Sequence, residues 1–173
     1  MSACYTINTL LENSEIISKW QGTLETEGKG SQGDLGVFLR LLHYTMIAML
    51  DSETEPLLLL QELRICSTLL SITPYPKMRA GLASLLLRKV VSLLKDKGSL
   101  INTSKNPALV NISFKTLLTG FSLPQELSAE LIGNFLEKND SNLIKFLLVE
   151  DYLGKGYDQV ILLLTKIASS FPE

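Results

Sequence analysis

The sequence predicts an all-α protein, a right-handed helical-repeat solenoid of the armadillo/HEAT kind with about eight helices, and a compact helical bundle is the alternative arrangement of the same helices. Three observations lead there. Apolar residues recur at spacings of three and four in segment after segment, which is the period of a helix face. The breaks between segments carry acids, prolines and glycines, the residues that start and stop helices. Alternating polar and apolar runs, the mark of a half-buried strand, are nearly absent.

The first helical segment is expected from about Thr6 to Trp20. The stretch GTLETEGKGSQG, Gly22 to Gly33, then holds four glycines and a single leucine, so a flexible loop is expected over residues 22–33. Asp34 stands where an N-cap belongs, followed by one stripe of Leu35, Phe38, Leu42, Met46 and Met49 and a second of Val37, Leu41, Tyr44 and Ala48. A helix apolar on two sides suits the middle of a stack, where it packs on its partner and on the next pair. The following helix opens in DSETEP, with acids and a first-turn proline, Pro56, at the positive end of its dipole. Its stripes are Leu59, Leu63, Cys66 and Leu70, and Ile65, Leu69 and Ile72.

The stretch SITPYPKMRAGL reads as the joint between two antiparallel helices. Proline disfavours the helical region for the residue before it, so Thr73 and Tyr75 are expected to be extended, with Pro74 and Pro76 forcing the turn and Pro76 suited to the first turn of the next helix. Beyond it lie the stripes Leu82, Leu86, Val90, Leu93 and Leu87, Val91, Leu94. Asn106 and Pro107 open a further helix through Val110, Phe114 and Leu117, with Gly120 expected to close it. Pro124 opens one through Leu127, Leu131 and Phe135. Two more carry Leu143, Phe146, Leu147 and Ile161, Leu164, Ala168, Phe171. Antiparallel pairs then start near residues 34, 77 and 124, spacings within the roughly 40 to 47 residues of armadillo and HEAT repeats.

The chain has 173 residues, 46% of them hydrophobic and 20% charged, which fits one globular domain over residues 1–173. A formal charge of -2 gives no global attraction to nucleic acid or to an anionic membrane. Two cysteines and one histidine are too few for a zinc site of the usual kind or for a disulfide framework; no metal or cofactor is expected. The N-terminal residues lack a basic start followed by an apolar run. Apolar runs such as PLLLL end quickly, far short of the roughly 20 residues that cross a bilayer. A soluble cytoplasmic or nuclear protein is expected.

The segments LQELRICSTLLSITPYPKMRAGLASLLLRKVVSLL and NPALVNISFKTLLTGF resemble the N-terminal armadillo/HEAT region of the HEAT repeat-containing protein 6 family. The likeness runs from about Leu60 to Phe121 and rests mainly on Thr73, Pro74, Tyr75, Lys77 and Leu82. It implies a scaffold with no catalytic residues to carry across.

His43 lies in a leucine-rich helix with no nucleophile or acid at a recognisable spacing, so a structural role is expected. Cys66 falls on an apolar stripe and should behave as a small hydrophobe; Cys4 reads as an incidental terminal thiol. The glycines near residue 30 lack the Gly-Lys-Ser/Thr of a phosphate loop. Charge is uneven only at residues 77–97, where Lys77, Arg79, Arg88, Lys89, Lys95 and Lys97 face Asp96 alone. Helical spacing would line up Lys77, Ser84, Arg88 and Lys95, with Lys89 beside them. This basic ridge is either a solvated face or a docking surface for an acidic protein segment. Nucleic acid is not expected there, because no aromatic residues are interleaved for base stacking. The expected function is a non-catalytic scaffold or adaptor for protein partners, Lys77, Arg79, Arg88, Lys89 and Lys95 being the candidate contacts. The alternative is an accessory subunit of a larger, nucleic-acid-linked complex, buried through its apolar end faces.

Overall fold

A computed structural model describes residues 2–26, 33–78, 81–96 and 107–123, together with 161, 162, 165, 168 and 169. Among the described residues there are six α-helices and no strand: α1 (Ser2–Glu12), α2 (Ser14–Thr26), α3 (Asp34–Ser52), α4 (Pro56–Ile72), α5 (Leu82–Asp96) and α6 (Pro107–Phe121). Residues 161, 162, 165, 168 and 169 are also helical. The helices expected from Pro124 through Phe135 and around Leu143 to Leu147 lie outside the described residues.

The segment expected as one helix from Thr6 to Trp20 is two. Asn13 separates them because its side-chain oxygen accepts from the backbone N–H groups of Glu15 (3.1 Å) and Ile16 (3.2 Å), the bond pattern of an N-cap. Helix α2 continues to Thr26, so the first five residues of the expected loop at 22–33 are helical; one glycine costs a helix only about 1 kcal/mol. Residues 27–32 lie outside the described residues. Gly33, not Asp34, caps α3 in an extended conformation, and Asp34 is the acid in its first turn. Helix α4 starts at Pro56 as expected, capped by Glu55, whose carboxylate accepts from Leu57 N–H (3.2 Å) and Leu58 N–H (2.9 Å).

The Pro-Tyr-Pro joint turns more tightly than expected. Thr73 is extended, and Pro74 at φ -77°, ψ 72° forms an inverse γ-turn closed by Tyr75 N–H to the Thr73 carbonyl (2.9 Å). Tyr75, expected to be extended, opens a 3-10 turn, Tyr75–Lys77, that also holds Pro76. Burial of its ring overrides the local preference of a residue before proline. Helix α5 therefore begins at Leu82 rather than near Lys77, after Gly81, whose φ of +86° suits glycine. The expected stop at Gly120 is also displaced, since α6 runs to Phe121. A Cβ at Gly120 would collide with the Leu87 side chain, so this glycine serves the close approach of α5 and α6.

Two rows of contacts organise the helices. Helix α4 packs most extensively on α6 and next on α1; α3 packs on α5 and, more lightly, on α2. The rows are joined by contacts of α1 with α2, α3 with α4, and α5 with α6. Leu59, Leu63, Ile65, Cys66, Leu69 and Leu70 of α4 are all fully buried, both expected stripes being covered except for the half-buried Ile72. Between α4 and α6 the core is partly polar. The Thr116 hydroxyl reaches the Ile112 carbonyl at 2.7 Å and, across the interface, the Leu63 carbonyl at 3.3 Å. Ser113 donates to the Leu109 carbonyl (2.8 Å), which satisfies its buried hydroxyl within the helix.

Candidate partner-binding surface

The joint is tied to α3 by one buried pair. His43 Nδ1–H donates to the Leu39 carbonyl (2.7 Å), which can only accept, so Nε2 is left as acceptor for the Tyr75 hydroxyl (2.8 Å). The rings meet edge to face at 5.7 Å and 85°. Burial holds the His43 pKa below its ordinary value, with the Leu39 carbonyl opposing in part, and burial raises that of Tyr75. Both groups are therefore kept neutral in the geometry that their hydrogen bond requires. Both ring nitrogens of His43 are thus engaged, and its partner Tyr75 sits between Pro74 and Pro76 in the turn.

The basic residues are not drawn into one helical line. Lys77 is exposed on the 3-10 turn, off the end of α5. Ser84, which would continue the line, is buried, because it falls at the edge of the face that α5 turns to the core. Arg88 is exposed in mid-helix. Lys89 is half-buried and paired with Asp51 of α3, so its charge is already engaged in holding α5 to α3. Lys95 lies in the last turn of α5 with its side chain outside the described residues, as is Arg79. The structure brings Lys89 to α3 and leaves Lys77 and Arg88 as separate exposed cations.

Helix α3 supplies what charge alone did not mark. Its inward face is Gly36, Leu39, Leu42, His43, Met46 and Leu50. The second expected stripe points outward: Leu41 is 58% exposed and Tyr44 44%, with Phe38 at 46% beside them. Phe38 meets Trp20 of α2 edge to face at 5.6 Å and 72°. Among the described residues, α3 is the one helix long and apolar enough, by length and composition, to cross a membrane, although its inward face packs against other helices.

Cys4, expected to be an incidental terminal thiol, is part of the core. Burial, and then the nearby Glu62 carboxylate, raise the pKa of both Cys4 and Cys66, which disfavours the reactive thiolate. Glu62 is buried within α4. An open cleft of about 630 Å³ lies between the C-terminal ends of α4 and α6, lined by Leu70, Ser71, Leu118 and Thr119, with Lys115 as its one ionisable group among the described residues. No group of three His, Cys, Asp or Glu side chains among the described residues could hold a metal.

Six helices and no strand among the described residues define an all-α protein, with Phe38, Leu41 and Tyr44 of α3 exposed and Lys77 and Arg88 among its exposed cations. The chain belongs to the family described as Domain of unknown function (DUF4042), whose model matches residues 32–125. That span holds α3 to α6. No curated protein and no solved structure matches the chain.

Proposed function

We propose that the chain is a non-catalytic helical-repeat scaffold, an armadillo/HEAT-like solenoid of the cytoplasm or nucleus that holds protein partners on its outer helices. The observation that carries this reading is the pairing of α1 with α2, α3 with α4 and α5 with α6, each pair packed on the next along two rows. Among the described helices the main contacts run within pairs and between neighbouring pairs, as a repeat stack needs. The resemblance of Leu60 to Phe121 to the N-terminal region of the HEAT repeat-containing protein 6 family supports the same reading.

Removing residues 1–26, and with them α1 and α2, tests the architecture. In a stack the remaining pairs keep their helical circular dichroism and melt cooperatively at a lower temperature; a compact bundle deprived of Cys4 and Leu11 from its core loses the cooperative melt. Affinity capture with cross-linking mass spectrometry tests the function. A stoichiometric protein partner is expected, and its absence at low and moderate salt would overturn the scaffold.

A second reading, an accessory subunit buried through an end face, is favoured by α1, where Tyr5 is 72% exposed and Leu10 45%. Added salt separates the two. Capture through Arg88 and Lys77 weakens steeply with ionic strength, whereas burial of Tyr5 and Leu10 tolerates it.

A further inference from the structure

The outward face of α3 has a composition that solvent does not explain. Val37, Phe38, Leu41, Tyr44, Thr45 and Ala48 succeed one another along it without a single charge. Of these only Val37 is half-buried; the other five are exposed. Three large apolar side chains at spacings of three residues form the kind of uncovered stripe that marks an interaction site.

Two observations say what covers it. The first is size. Phe38, Leu41 and Tyr44 are about half exposed, so together they offer on the order of 300 Å² of apolar surface. A stable dimer of two folded domains buries about 800 Å² on each partner. The stripe is one helix wide and suits a single helix. The second is charge. The Lys89–Asp51 pair places α5 along one edge of α3, and Arg40 stands three turns before Asp51 on that same edge. Arg40 and, on α5, exposed Arg88 are in no ion pair among the described residues. The opposite edge is closed by the aromatic contact of Phe38 with Trp20. Asp34 stands at the N-terminal end of the stripe. Among the described residues, positive charge therefore borders the stripe on the α5 side.

We propose that this face of α3 docks an amphipathic helical segment of a protein partner, apolar along one stripe and acidic on the flank that lies toward α5. The proposal rests on the scaffold reading and names the place and chemistry of its partner. Leu41 is the central anchor, Phe38 and Tyr44 its neighbours, and Arg40 and Arg88 fix which way round the segment lies. Binding of this kind uses apolar anchors at i, i+3 and i+7 for affinity and charge for register.

The probe is a fluorescein-labelled model peptide about four turns long, with leucines at i, i+3 and i+7 and glutamates on one flank; a second peptide has lysines in place of the glutamates. Fluorescence anisotropy with the full chain should show the acidic peptide binding roughly tenfold more tightly than the basic one at low salt. Leu41→Glu should abolish binding while melting like the parent, and Arg88→Glu should reverse the preference between peptides. If Leu41→Glu does not fold, Tyr44→Ser takes its place with the same expectation. Equal binding of the two peptides, or undiminished binding by the folded variant, overturns the proposal. So does a parent chain that sediments as a dimer dissociated by Leu41→Glu, which would make the occupant a second copy. Binding to phosphatidylserine vesicles in place of either peptide would overturn it too. A protein partner captured equally by parent and Leu41→Glu removes this site yet leaves the scaffold standing, whereas a parent that captures no partner removes the scaffold itself.

Discussion

His43 has both ring nitrogens engaged, and a proton added to Nε2 would turn an acceptor toward the Tyr75 hydroxyl into a second donor. Its folded pKa lies below that of the unfolded chain because burial disfavours the charged ring. The unfolded state therefore binds more protons between the two values, and stability rises with pH across that window. The contribution is complete above the unfolded value of about 6.5 and is lost as pH falls below it. Between about pH 7.5 and pH 5.5 the parent should lose more stability in denaturant titrations than His43→Gln, by no more than about 1.4 kcal/mol per pH unit for one proton. Parallel pH profiles would mean that the ring is not buried as described. Gly120 allows an equally sharp test, because two effects compete there. Alanine gains about 1 kcal/mol in helix propensity, but its Cβ meets Leu87, and overpacking costs typically about 1–3 kcal/mol. We expect Gly120→Ala to lower the melting temperature; a rise would show that Leu87 has room to move aside.

Helix α4 touches α1, α3, α5 and α6, so its apolar positions should tolerate least. Leu63→Asp places an unpaired carboxylate at a fully buried position, as does Leu86→Asp in α5. Such a charge costs several kcal/mol against a usual total of about 5–15 kcal/mol, and both variants should lose their cooperative melt by circular dichroism. The α4 stripes were legible in sequence because leucines at period 3.6 with Pro56 in front admit few other readings. Pro107 marked α6 for the same reason. The break at Asn13 carried a usable signal, an Asn followed by Ser and Glu, that apolar spacing alone obscured. In α3 both apolar stripes were visible, but which one faces a neighbour depends on the other helices. The candidate ridge went astray on a local detail: the 3-10 turn takes Lys77 out of the helix that carries Arg88. Tyr75 meets His43 across 32 residues of sequence, a tertiary contact that no local pattern encodes.

Across the described residues, the two rows of helices are held by apolar surfaces that in themselves permit sliding, since one leucine ridge fits several grooves of another. The Thr116 hydroxyl, 3.3 Å from the Leu63 carbonyl, works as an index mark between α4 and α6. Displacing α6 by one helical turn, about 5.4 Å, would part these two atoms while leaving leucine against leucine. The pair of helices consequently has a single phase, and bending must be taken up at the joints before it can open this seam. Amide deuteration should record the order of events. Among the described helices the N–H groups of Leu63 to Ser67 should be the last to exchange, after those of α1 and α2, and Thr116→Val should shorten their lag without moving the amides of α3.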